Sequence, residues 1–141
     1  MDGQRVRRIL DLSRRVERAR QGELANARRE REAAEDLLSR ARQEETAQLA
    51  ALTEGGELPP EALLDRARYV ALAAQQVKTA QEVFQVKDGE VDARQAAVFE
   101  ATRDVRKFEV LNEKHRHEAK AAAKQAEQRE LDDLSARRGG R

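Results

Sequence analysis

The sequence contains no cysteine. This excludes a disulfide framework and cysteine-ligated metals, and it fits a reducing compartment. No apolar run approaches the roughly 20 residues that span a bilayer. The N-terminal stretch MDGQRVRRILDLSRR also lacks an apolar core of signal-peptide length. These absences predict a soluble cytoplasmic protein.

Aromatic residues, glycine and proline are also scarce. Aromatic side chains make up 3% of the 141 residues, with seven Gly and two Pro, whereas 39% of the residues are charged. Because there are too few large apolar side chains to fill a compact interior, burial must be confined to narrow helix seams. Such polarity is also typical of disordered chains, but regular apolar spacing over most of the length argues against disorder. The predicted fold class is all-α.

A large apolar residue recurs at every seventh position in the second half of the chain. A seven-residue repeat falls slightly short of two helical turns, so this stripe stays buried only if the helix supercoils about a partner. We assign the second column of the seam four residues after each stripe position, where it becomes polar after two alanines. The stripe is Leu63, Val70, Val77, Phe84, Val91, Val98 and Val105. The second column is Ala67, Ala74, Gln81, Asp88, Gln95, Thr102 and Glu109.

Residues 5–53 are predicted to form the first helix. Ile9, Leu12 and Val16 share one helical face. From Leu24 onward a seam follows in a shifted register. The shift near Arg20 inserts four residues, which predicts a stutter in the repeat. The shifted seam is Leu24, Ala27, Ala34, Leu38, Ala41, Glu45 and Leu52.

Residues 54–60, with the sequence EGGELPP, are the strongest break in the chain. Gly55 and Gly56 suit the left-handed end of one helix, and Pro60 suits the first turn of the next. A short turn between two long helices predicts an αα-hairpin with antiparallel helices. We therefore predict that residues 1–141 form a single two-helix coiled coil. The second helix, 61–135, is the longer one and is followed by a frayed tail at 136–141.

The unequal helix lengths predict an overhang. Counting back from the turn at equal rise per residue places Met1 beside roughly residue 112 and leaves about 25 residues of the second helix unpaired. A stripe of mostly small residues follows this segment, and we expect another protein to cover it. The stripe is Phe108, Leu111, His115, Ala119, Ala122 and Ala126, with Leu131 and Leu134 as an imperfect extension.

No constellation of residues suggests catalysis or metal binding. His115 and His117 are two residues apart, so on a helix they point about 200° away from each other and cannot chelate one metal. The acidic pairs Glu44/Glu45 and Asp132/Asp133 lie on exposed turns with nothing to raise a pKa. We predict a non-enzyme without catalytic residues, metal, cofactor or small-molecule substrate.

Basic residues at the two termini raise a different class of function. Residues 1–20 contain seven arginines against three acidic residues, and Arg137 and Arg138 lie near the C-terminus. Arginines can neutralise phosphates, but the whole chain has a net charge of +1 and no aromatics interleaved with the basic residues. A nucleic-acid-binding helix and an unrelated adaptor coiled coil remain alternative hypotheses.

Several segments resemble one protein family over nearly the whole length. RVRRILDLSRRVERARQGELANARREREAAEDLL is similar to an opening helix with a Leu-Ala-x-Ala-Arg-like segment, here Leu24–Arg28. Tyr69 matches an aromatic that follows the turn. The later blocks are a Glu-x-Leu-x-Glu-Lys block, matched by Glu109, Leu111, Glu113 and Lys114, and an acidic block, matched by Glu127–Asp133. The chain resembles the flagellar type III export stalk family, FliJ, which is related to injectisome ATPase stalks. It departs in having Val110 in the first of these blocks and few of the aromatics that some members carry.

The resemblance implies a non-enzymatic component of the export apparatus at the inner membrane. Such proteins insert their paired helix ends into the hexameric export ATPase and contact the cytosolic domain of the export gate. Some bind export chaperones, so chaperones are further expected partners. No nucleic acid is expected, and the free protein is expected to be a monomer. Whether the system is a flagellum or an injectisome stays open at this level.

The resemblance and the hairpin geometry together place two partner-binding surfaces. The ATPase-facing surface is assigned to the helix ends, where N-terminal arginines gather beside Arg103, Arg106, Lys107 and Lys114. It comprises Arg5, Arg8, Arg15, Leu131 and Leu134. The gate-facing surface, near the turn, is assigned to Tyr69.

Overall fold

The computed structural model describes residues 2–54 and 56–139. They form two α-helices, α1 (Gly3–Glu54) and α2 (Pro60–Gly139), and no strand occurs among the described residues. Good helix formers fill both segments, and the longer second helix gives the all-α hairpin predicted from sequence. α1 begins two residues before its predicted start, and α2 runs four residues past its predicted end at 135. Residues 140 and 141 of the predicted frayed tail lie outside the described residues.

Local signals in the sequence explain where the helices begin and end. The Asp2 carboxylate accepts a hydrogen bond from the Gln4 amide at 3.3 Å, which caps the start of α1. Gly56 has φ +62°, a conformation that costs glycine little and suits a chain leaving a helix. Pro60 opens α2, with Glu61 in the first turn and two arginines in the last, each favourable with the helix dipole.

The chain divides into two compact units. We call residues 20–98 the turn unit, and residues 2–19 with 99–139 the end unit. In the turn unit, later residues of α1 contact earlier residues of α2. Glu23 pairs with Arg94, Glu30 with Lys87, and the Ala51 carbonyl accepts a hydrogen bond from Arg66. The helices of this unit are therefore antiparallel.

Each unit has its own narrow core. In the turn unit, Leu24, Ala27 and Val91 are buried against one another, and Val98 packs on them. In the end unit, Val6, Leu10, Ala101 and Val105 are buried. Small residues among these permit close approach of the helices, and little large apolar surface is enclosed, as expected for a thin two-helix contact.

The predicted stutter in α1 is wrong. Buried and half-buried positions follow unbroken steps of four and three from Val6 to Leu52. Ser13, Glu17 and Arg20 occupy seam positions, whereas Leu12 and Val16 of the predicted first face lie exposed. The spacing of apolar residues alone predicts a shifted register, whereas polar residues hold the seam here through more than one heptad.

The predicted second column of α2 is also wrong. The residues three positions after a stripe residue are the ones that are buried or half-buried, for example Ala73, Ala80, Ala101 and Phe108. The positions four residues on flank the seam instead, and two of them form interhelical ion pairs: Arg31 with Asp88 at 3.3 Å and Arg14 with Glu109 at 3.6 Å. Their polarity reflects partial exposure beside the contact.

The stripe itself is graded in burial. Val91 and Val105 are buried, while Val70, Val77, Phe84 and Val98 are half-buried. Leu63, however, is 49% exposed, so the assignment of Leu63 to a buried seam is corrected. The buried series of α2 runs from Val70 to His115, with only Arg94 exposed along it.

Candidate partner-binding surfaces

The basic end of α1 lies on the surface of the end unit. Arg5, Arg8 and Arg15, predicted as part of an ATPase-facing surface, are all exposed, as are Arg7 and Arg18. Among the described residues, none of these five forms a salt bridge, whereas Arg14 pairs with Glu109. The α1 segment of this unit thus presents uncompensated positive charge.

The α2 segment beside it is electrically mixed. The cations predicted to gather there, Arg103, Arg106, Lys107 and Lys114, are exposed, but acidic residues alternate with them. Between positions 99 and 119, five Lys and Arg residues face five Asp and Glu residues. Residues 120–139 add a net charge of only +1, so the positive excess of the end unit comes mainly from α1.

The predicted pairing of Met1 with residue 112 lies outside the described residues, but the residues that follow Met1 lie beside later α2 residues than predicted. Gly3 and Arg7 border a groove of about 410 Å³ whose α2 wall is formed by residues between Asn112 and Ala119. The pairing therefore reaches past residue 112, but α2 also ends later than predicted, so the uncovered segment keeps about its predicted length. The turn unit shows a shift in the same direction, because its interhelical ion pairs, Glu23 with Arg94 and Glu30 with Lys87, are centred near Leu58.

Beyond that groove, α2 continues as an uncovered helix. Every described residue from 116 to 139 is exposed. Leu131 and Leu134, the apolar part of the predicted ATPase-facing surface, are 54% and 55% exposed. These leucines belong to the same unit as Arg5, Arg8 and Arg15, but they lie on the uncovered part of α2, beyond the groove that Gly3 and Arg7 border.

In the turn unit, Tyr69 is exposed and belongs to an apolar stripe missed by sequence reasoning. Tyr69, Leu72, Val83 and Val86 are all exposed and follow the same three- and four-residue steps as the seam, on a neighbouring face of α2. Leu37 of α1, together with Val83, lines a groove of about 380 Å³. Large apolar residues at 69, 72, 83 and 86 share this face, so their spacing could have revealed it, although Gln76 and Thr79 interrupt the stripe.

Charged side chains line the seam of the turn unit. The Lys87 ammonium lies 3.2 Å from the Glu30 carboxylate and 3.6 Å from that of Glu90. The hydrogen bond from Lys87 to Glu30 and the negative charge of that carboxylate raise the pKa of Lys87, and Glu90 adds to the effect. Arg94 reaches Glu23 at 3.3 Å. Because such exposed pairs contribute little stability, their main effect is to favour one alignment of the helices.

The described residues contain neither a cluster of metal ligands nor a membrane-spanning helix. No group of three His, Cys, Asp or Glu side chains among them is arranged to hold a metal ion. His115 is half-buried in the groove beside Asn112, and exposed His117 lies 3.6 Å from Glu113. No helix in this part of the chain combines the length and apolar character needed to cross a membrane.

Comparison with known protein families supplies the decisive observation. Residues 3–141 match the family described as Flagellar FliJ protein. The chain belongs to the flagellar FliJ protein family. The match covers both helices, and it places the chain among export-associated proteins of the flagellum. Comparisons with curated proteins and with solved structures give no match.

Proposed function

We propose that the protein is the non-enzymatic central stalk of the hexameric flagellar export ATPase and links it to the cytosolic domain of the export gate. The protein would then work at the inner membrane through its partners, with export chaperones as further ligands. The observation that carries the proposal is the uncovered segment of α2 in the end unit, from residue 116 to 139. A single helix is narrow enough to enter the opening of a ring, and the unpaired arginines of α1 supply charge to orient it.

The uncovered helix is the first place to test. We expect Leu131→Gln with Leu134→Gln to lower the stimulation of ATP hydrolysis about tenfold, because both exposed leucines would be buried only in the complex. The measurement is ATP turnover by the purified export ATPase as the protein is titrated. Helix content should not change, since neither side chain packs within the chain.

A matched control lies on the same helix. Leu63 and Leu64 are about as exposed as the two distal leucines, so Leu63→Gln with Leu64→Gln makes the same chemical change in the turn unit. This control should stimulate turnover like the wild type. Equal loss from both pairs would mean that general apolarity matters and would contradict a contact at the distal end of α2.

The gate-facing surface is proposed to include Tyr69 and its exposed neighbour Leu72. They lie three residues apart on one face of α2 and present two large exposed side chains, and tyrosine is one of the residues enriched in binding hot spots. We expect Tyr69→Ala with Leu72→Ala to weaken binding to the purified cytosolic domain of the gate by more than tenfold, measured by calorimetry. ATPase stimulation should remain. If gate binding survives this change and fails in the Leu131/Leu134 variant, the two surfaces have been exchanged.

A further inference from the structure

The end unit contains an apolar groove that the proposed stalk role does not use. Ile9, Leu12 and Val16 of α1 form it together with Ala101 of α2. Leu12 is 63% exposed, so most of its side chain is available to a partner. The groove encloses about 240 Å³, less than a typical small-molecule pocket but enough for aliphatic side chains of a partner.

The two borders of this groove carry opposite charges. On the α1 side, Arg8 lines the groove, and Arg15 lies seven residues further along the same face of the helix. On the α2 side, Asp104 lines the groove, and Glu100 lies one turn earlier. Lys107 lies one turn later on this mixed segment, but it does not line the groove, so the charge beside the groove itself is acidic. The two arginines and the two carboxylates are exposed, and none of them forms a salt bridge among the described residues. An apolar floor between a cationic and an anionic border is complementary to one kind of ligand.

We propose that this groove binds an amphipathic helix of another protein, with carboxylates along one edge of its apolar stripe and basic residues along the other. Ile9, Leu12 and Val16 are spaced at three and four residues, so they match the ridge of a helix that lies along α1. The charged borders orient that helix and distinguish it from other apolar ligands.

Occupation of the groove has a consequence that rests on the proposed function. Arg8 and Arg15 belong both to the border of the groove and to the proposed ATPase-facing surface. A helix that pairs with these arginines covers them, so it competes with the ATPase for the end unit. Binding of the helix itself does not depend on that role.

The test uses the full chain and a labelled synthetic helix of about 18 residues, or five turns, with leucines at three- and four-residue spacing. Its edges carry Glu on one side and Lys on the other. A second peptide has the same composition, with Glu and Lys mixed on both edges. Fluorescence anisotropy should show about tenfold tighter binding of the segregated peptide, and equal binding would overturn the assignment of the charged borders.

Two protein variants test the apolar floor. Leu12→Gln should weaken binding of the segregated peptide about tenfold, the scale expected for loss of one buried leucine. Leu37→Gln makes the same change at a leucine of similar exposure, 58%, in the groove of the turn unit and should have little effect. Equal losses from both changes would show unspecific apolar binding and overturn the proposal.

Charge reversal tests the borders directly. Arg8→Glu with Arg15→Glu, and separately Glu100→Lys with Asp104→Lys, should each weaken binding about tenfold, because each places like charges opposite one another. The four changes combined should restore it, since a peptide turned end for end presents its edges in the opposite order. Failure of the combined variant to recover, in a protein of unchanged helicity, would contradict the proposal.

Two further measurements separate the possible occupants and functions. If sedimentation shows that the chain alone self-associates and Leu12→Gln abolishes this, the occupant is a second copy and the proposal is wrong.

Saturating peptide should suppress ATPase stimulation. Suppression would support an overlap between the groove and the ATPase-facing surface. Unchanged stimulation with the peptide bound would refute that overlap but not the binding of a helix in the groove. If the protein alone fails to stimulate the ATPase, the stalk proposal fails and the anisotropy results still decide the groove.

Discussion

Val91→Asp is expected to abolish the cooperative folding of the two helices at physiological temperature. Val91 is 4% exposed and packs with Leu24 and Ala27. The change removes about 1.5–3 kcal/mol of apolar burial and adds about 3–5 kcal/mol for an unpaired charge in the seam. The cations one turn away on α2, Lys87 and Arg94, already engage carboxylates, which are Glu30 and Glu90 for Lys87 and Glu23 for Arg94. The combined cost approaches the whole stability of a typical domain, about 5–15 kcal/mol.

Thermal melting followed by circular dichroism measures this effect. The matched control is Val86→Asp, which makes the same change on the same helix at a side chain that is 61% exposed. Its free energy of unfolding should change by no more than about 0.5 kcal/mol. Half-buried Val77 and Val98 should give intermediate losses. If Val91→Asp and Val86→Asp melt alike, Val91 does not lie in the contact between the helices.

Reversal of two N-terminal charges is expected to have the largest effect on function. If the end unit enters the export ATPase as proposed, Arg8→Glu with Arg15→Glu places acidic side chains where the ATPase ring would contact cationic ones. Like-charge contacts cost several kcal/mol and slow association, so the protein concentration for half-maximal ATPase stimulation should rise by more than about tenfold. Both side chains are exposed, so the melting temperature should stay close to that of the wild type.

A control variant should make the same charge change at a different place on α1. Arg28→Glu with Arg40→Glu changes the net charge by the same amount, at two exposed arginines in the turn unit that form no salt bridge among the described residues. This control should stimulate the ATPase nearly as well as the wild type. The difference between the two variants should shrink as salt is raised, because exposed charges are screened. Equal defects would indicate a requirement for net charge alone.

Much of the architecture follows from the sequence by itself. Long segments of strong helix formers, interrupted once by EGGELPP, leave few alternatives to two helices and a turn. The seven-residue recurrence from Val70 to Val105 then requires a second helix beside the first. These signals are local, so they can be recognised without knowing what faces each residue. The family was recognised from short blocks along the same sequence.

The tertiary structure decided how the helices meet. Ser13, Glu17 and Arg20 hold seam positions although they are polar, and Leu12 lies outside although it is apolar. In a thin contact, a side chain's burial depends on the residue that faces it, and the pairing offset fixes that residue. The same offset placed Gly3 beside the Asn112–Ala119 segment and created the groove at Leu12. Helix formation is governed by local chemistry, whereas register is the summed result of contacts between residues far apart in sequence.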